Sequence, residues 1–167
     1  MKLRIVVADD NIAFLAKLVS VLATEFEVVS TAADGKSALE CIRLCQPNVV
    51  VLDLEMPGLN GIEVAKELTK CPSSPAVVIC SVENAPEIVE AARQAGALGY
   101  VFKSRIAEDL IVAVKSVAGG NSFVSPREDL LAKLLSSVIN RAASKTTKTA
   151  PCGRDRQNGG FYGNCRL

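Results

Sequence analysis

Five side chains able to handle a phosphoryl group stand at or beside the ends of apolar runs in this 167-residue chain. Residues 3–8 run into Asp9-Asp10, and Val49-Val50-Val51-Leu52 closes on Asp53. Two later runs lead into Ser81 and, just past Val101-Phe102, into Lys103. In a parallel α/β sheet the carboxyl ends of the strands meet in one crevice, where ligands bind. Three carboxylates, a hydroxyl and an ammonium would therefore converge. Magnesium takes oxygen ligands and keeps several waters, so one or two carboxylates plus phosphate oxygens suffice to hold it. One carboxylate beside such a cation can attack phosphorus and carry the group as an acyl phosphate. The transfer needs charge stabilisation on the phosphoryl oxygens more than acid–base help. A lysine supplies a point charge there and a serine a hydrogen bond.

The elements that must position these groups follow from periodicity. Strands are expected over 3–8, 27–30, 49–53, 76–80 and 99–102. The third and fourth are nearly all apolar and rich in valine and isoleucine, as in parallel strands covered on both faces. Helical patterns separate them. Residues 11–24 place Leu15, Leu18, Val19 and Leu22 on one face, with Asn11 as N-cap. Residues 34–45 turn Ala38, Leu39 and Ile42 inward; 60–69 turn Ile62, Ala65 and Leu68 inward; 86–94 do so with Ile88, Ala91 and Ala92. A fifth helix begins after Ser104, carries Glu108 and Asp109 near its positive end, and stops at Gly119-Gly120. Five strand–helix units predict a doubly wound parallel sheet.

Composition narrows the class. Apolar residues make up 49% of the chain and the net charge is +1, which points to a globular protein. No run approaches the ~20 apolar residues of a membrane span. Met1-Lys2 leads straight into a strand, so a cytoplasmic location without a signal peptide is expected. The six cysteines, Cys41, Cys45, Cys71, Cys80, Cys152 and Cys165, show no CxxC pairing, and histidine is absent. Free thiols are expected rather than a zinc site.

Three segments carry a family resemblance: Leu3-Arg-Ile-Val-Val-Ala-Asp-Asp-Asn11, Val49-Val-Val-Leu-Asp-Leu-Glu-Met-Pro-Gly-Leu-Asn-Gly61 and Gly96-Ala-Leu-Gly-Tyr-Val-Phe-Lys-Ser104. Together they resemble the receiver domain of bacterial two-component response regulators, over residues 1–120. The resemblance implies a flavodoxin-like fold of five parallel strands in the order 2-1-3-4-5. It implies Asp53 as phosphoacceptor, Asp10 as a direct Mg2+ ligand, Asp9 acting largely through water, and the backbone carbonyl of Glu55 completing the metal site. Ser81 and Lys103 would contact the phosphoryl group, and Tyr100 would be the aromatic switch coupled to Ser81. Glu55 and Glu83 stand at the rim, where the family tunes dephosphorylation. The implied partner is a sensor histidine kinase. The implied protein is no enzyme in the ordinary sense but a phosphoacceptor that catalyses its own phosphorylation and dephosphorylation.

The remaining residues differ in character. The first 120 carry 11 basic and 15 acidic side chains, and 121–167 carry 8 and 3. Ser125-Pro126-Arg127-Glu128 is a capping box with proline at the first helical position. Leu130, Leu134 and Val138 form one stripe of the helix it opens, and Leu131, Leu135 and Ile139 the next. Residues 121–143 are expected to form a linker with a dimerisation helix, and 144–167 a disordered basic tail. The stretch 119–127 resembles the linker of LuxR-type regulators, whose helix-turn-helix output domain is not found in the residues that follow. Specific DNA binding is therefore not expected of this chain, although a LuxR-type transcriptional regulator stands as an alternative. A second alternative is an aspartate-nucleophile phosphatase of the haloacid-dehalogenase type, since Asp53-Leu54-Glu55 approximates an Asp-x-Asp start. That class places its nucleophile on the first strand, which does not hold here.

Overall fold

Alternating faces of five valine-rich strands account for most of the architecture. In the computed structural model, which describes residues 2–126, the chain runs β1 (Arg4–Ala8), α1 (Ile12–Leu22), β2 (Glu27–Ala32), α2 (Gly35–Cys45), β3 (Val49–Asp53), α3 (Gly61–Thr69), β4 (Ala76–Ser81), α4 (Pro86–Gln94), β5 (Gly99–Phe102), α5 (Ile106–Ala118) and β6 (Phe123–Val124). A single 3₁₀ turn, Lys103–Arg105, joins β5 to α5. Every strand pairs in parallel, in the order β2-β1-β3-β4-β5-β6.

Because side chains alternate across a strand, the sheet builds two cores. Val6, Val50, Leu52, Val77 and Ile79 face α2, α3 and α4, meeting Ala38, Ile42, Val64, Ala65, Leu68 and Ala92. Ile5, Val7, Val49, Val51, Val78 and Val101 face α1 and α5, meeting Leu18, Leu22, Leu110, Ala113, Val114 and Val117. Each such side chain, fully buried, contributes roughly 1.5–3 kcal/mol. The doubly wound α/β sheet expected from the sequence is thus observed.

Caps place the helices. Asn11 accepts a hydrogen bond from the Phe14 N–H, Asp34 from those of Lys36 and Ser37, and Asn60 forms a reciprocal capping box with Glu63. At Gly61 a Cβ would lie 2.3 Å from the Asp53 carbonyl oxygen, so glycine is required for α3 to start against the end of β3.

Two extents differ from expectation. Strand β2 continues to Ala32, because Thr31 and Ala32 extend the ladder beside Val7 and Ala8. The sheet also gains a sixth strand from beyond Gly120. Phe123 N–H donates to the Leu98 carbonyl and Ser125 N–H to that of Tyr100, both at 2.9 Å. Ser125 is buried, and its hydroxyl oxygen accepts from the Phe102 N–H at 3.3 Å. The edge of β5 offers backbone groups that this segment satisfies. The leucine-striped helix and the basic tail lie outside the described residues, as do Cys152 and Cys165. The four other cysteines are free thiols. No helix among the described residues is long and apolar enough to cross a membrane.

Candidate functional site

Four adjacent strands deliver the crevice. β1 ends beside Asp9, β3 in Asp53 and β4 in Ser81, while Lys103 follows β5. Parallel pairing at matched register brings these ends to one edge of the sheet, with Asp53 opposite Cys80 and Ser81 opposite Phe102.

Lys103 is the hub. Its ammonium donates to Asp9 Oδ2 at 2.8 Å and pairs with Asp53 Oδ1 at 3.0 Å. The other oxygen of Asp9 accepts from the Asn11 N–H at 2.9 Å. Asp9 is thus wholly buried and both its oxygens are engaged, while its neighbour Asp10 is exposed. One carboxylate oxygen each from Asp9, Asp10 and Asp53 lie within 4.8 Å of one another. Such a set of hard oxygen donors suits a divalent cation of the magnesium type. Asp10 and Glu55 also line an open cleft of about 550 Å³ that includes Met56, Pro57, Asn60 and Ile88.

Electrostatics bear the same reading. Burial raises the Asp53 carboxyl above its ordinary value; the Lys103 hydrogen bond opposes this, and the charge of Asp9 adds to it. Burial by itself would lower the Lys103 ammonium, yet its hydrogen bonds to Asp9 and Asp53 outweigh that and raise it, so it stays charged. Behind Asp53, burial pushes the Cys80 thiol up to about 12, which removes it as a nucleophile. A cation near the three carboxylates would relieve the crowding that Lys103 alone offsets in part. The residues present therefore fit the group.

Ser81 and Tyr100 both bond the main chain of Glu83. The Glu83 N–H donates to Ser81 Oγ at 3.0 Å, and the Glu83 carbonyl accepts from the Tyr100 hydroxyl at 2.9 Å. Tyr100 is buried, its ring set edge-on to Phe102 at 5.8 Å between centroids. Burial raises its phenol above the usual value. Asp9, Asp10, Asp53 and Lys103 are brought together, and Ser81 ends the strand beside Asp53. Sequence reasoning placed Glu83 at the rim as an acid, whereas its main chain bonds both Ser81 and Tyr100. Phe14, whose ring lies 4.4 Å from Lys103 Nζ, was not singled out. Nothing local marks it apart from the other apolar residues of α1.

A strand-end carboxylate flanked by an acidic pair and a lysine on a doubly wound sheet defines a class of signalling domains. The model of the response regulator receiver domain matches residues 5–115, and the chain belongs to that family. It is 34% identical over 128 residues to the transcriptional regulatory protein DegU of Brevibacillus brevis, an alignment covering 75% of this chain and 54% of that protein. It is 35% identical over 144 residues to the probable transcriptional regulatory protein NarL of Mycobacterium tuberculosis, covering 85% and 66%. The chain thus spans between about half and two thirds of the length of these curated relatives. Among solved structures, the receiver domain of the putative response regulator NarL from M. tuberculosis superposes with a TM-score of 0.69 at 35% identity, covering 72% of this chain and 98% of that one. A LuxR-family response regulator from Aurantimonas sp. gives 0.72 at 26% identity, covering 83% and 99%.

Proposed function

We propose that this chain is a phosphorelay switch in which Asp53 accepts a phosphoryl group from the phosphohistidine of a sensor kinase. The observation that carries this reading is the Lys103 ammonium bridging Asp9 and Asp53 beside exposed Asp10. Asp10 and Asp53 would hold Mg2+ directly, with the Glu55 backbone carbonyl, while Asp9 acts largely through water. When bound, the cation neutralises charge on the phosphoryl oxygens and on the carboxylates around them.

The chain's own residues do the rest. Asp53 attacks phosphorus through one carboxylate oxygen; that O–P bond forms as the P–N bond of the donor breaks, and the electron pair leaves with the imidazole. Hydrogen bonding from Lys103 keeps Asp53 ionised, and therefore nucleophilic, against the desolvation that raises it. After transfer Lys103 and the Ser81 hydroxyl contact the phosphoryl oxygens, which add roughly −1.5 to −2 charges. Ser81 moving toward them pulls on the Glu83 main chain, and with it the carbonyl that accepts the Tyr100 hydroxyl. The local charge thereby biases a two-state element at the surface around α4 and β5.

We further assign 1–120, with β6 completing its sheet, to the phosphoaccepting unit, the rest of 121–143 to a linker that pairs two chains, and the protein to the cytoplasm. Transcriptional control is the output favoured by the relatives' names. The deciding experiment is intact mass after acetyl phosphate with Mg2+. One phosphoryl group is expected on the wild type and none on Asp53→Asn. Labelling of that variant at wild-type stoichiometry would overturn the assignment.

A further inference from the structure

Lys103 has a third neighbour that the transfer scheme does not use. Phe14 stands on α1, three residues past the Asn11 cap, and its ring lies under Lys103 Nζ at 4.4 Å from the centroid. The ring is half-buried and packs against the core between the sheet and the α1–α5 layer. A lysine ammonium has three donors on a flexible four-carbon stem and no preferred direction of its own. Asp9 and Asp53 engage two sides of this one, at 2.8 and 3.0 Å. The negative face of an aromatic ring attracts a cation placed over it. The side chain of Lys103 is only 14% exposed, so the ring covers a side from which water would otherwise draw the ammonium outward.

The arrangement matters most during transfer. To reach the phosphoryl oxygens Lys103 has to loosen its bond to Asp53 Oδ1. Asp9 and the Phe14 ring are then the contacts that still hold it. We propose that Phe14 is a positioning residue for phosphoryl transfer, its ring keeping the Lys103 ammonium aimed into the crevice. This rests on the reading of Asp53 as phosphoacceptor and Lys103 as phosphoryl contact. The contribution is to rate and not to donor affinity, because the demand on Lys103 grows as charge builds on the transferring oxygens.

Phe14→Leu keeps an apolar side chain against the core and removes the ring, while Phe14→Tyr keeps the ring. In the wild type and in Phe14→Tyr the ε-methylene protons of Lys103 should resonate upfield, shielded by the ring; in Phe14→Leu that shielding is lost. With acetyl phosphate and Mg2+, the maximal labelling rate of Phe14→Leu should fall by about threefold to thirtyfold, the span of a cation–π contact. Its half-saturating acetyl phosphate concentration should stay at the wild-type value, and Phe14→Tyr should restore the rate. Equal maximal rates in wild type and Phe14→Leu overturn the inference, as do Lys103 resonances identical in all three proteins. A wild type that shows the shielding but takes no phosphoryl group overturns the phosphoacceptor reading, and the role of Phe14 falls with it.

Discussion

Two ion clusters with contacts of nearly equal length behave in opposite ways. On α4, Arg93 donates to the two oxygens of Glu90 at 2.8 and 2.7 Å, and Gln94 adds a bond at 3.0 Å. In the crevice, Lys103 reaches Asp9 and Asp53 at 2.8 and 3.0 Å. Yet Glu90 is held down at about 2 by its hydrogen bonds to Arg93 and Gln94, while Asp53 is raised. Water makes the difference. The α4 pair is 68% and 47% exposed, so its charges keep their hydration and the contact adds to it. The side chains of Asp9 and Asp53 are 0% and 6% exposed, and a single ammonium has to offset the desolvation of two carboxylates. Contact length reports proximity; burial decides whether the charge is satisfied. The crevice is left short of positive charge, which is the condition for drawing in a cation.

Removing Lys103 should break this contrast most severely. Lys103→Met is expected to slow labelling of Asp53 by about a hundredfold, as for loss of a donor aimed at developing charge. In EDTA at pH 7 it should also lose about 3 kcal/mol in urea unfolding, because two buried carboxylates are left unpaired. Circular dichroism should still report the native fold, and Mg2+ should return part of the stability. An unchanged urea midpoint would show that the crevice is as well hydrated as α4.

Asp53→Asn sharpens the comparison through pH. The folded carboxyl is raised above its ordinary value of 3.8, so the folded state binds this proton more tightly than the unfolded chain does. Ionised Asp53 therefore costs stability at neutral pH. The wild type should regain it as pH falls through the raised value, with the gain complete below the unfolded one. In EDTA the asparagine variant should lack that rise and be more stable than the wild type at pH 7. Parallel stability–pH profiles for the two proteins would refute this.

The smallest effect belongs to α4. Glu90 is depressed, so its contribution is present above the unfolded value of 4.5 and lost as pH falls toward about 2. Glu90→Gln should leave the neutral-pH melting midpoint where it was, since exposed pairs contribute little. A marked drop on differential scanning calorimetry would mean that the α4 pair bears more of the fold than its exposure implies.

Much of this was readable from the chain. The alternation of valine and isoleucine with glycine and polar breaks carries the five main strands, since parallel strands covered on both faces need apolar residues on both. Asn11 was recognisable as a cap because its side chain answers a local need of the helix that follows. That Asp9, Asp10, Asp53, Ser81 and Lys103 share one edge follows from topology, because parallel strands joined by helices end on the same side. What the sequence could not decide depends on partners distant in the chain. Asp9 and Asp10 are the same residue type side by side, yet one is sealed against Lys103 and the Asn11 N–H while the other faces solvent. Strand β6 is two residues long and has no periodicity; it exists because Leu98 and Tyr100 offer carbonyls at the sheet's edge. The Glu83 main chain bonded to Ser81 and Tyr100, and the Phe14 ring beneath Lys103, likewise arise only when separate elements pack. Residue type and order determine which groups the crevice contains. Packing alone determines which of them lose their water, and charge in a crevice is governed by that loss.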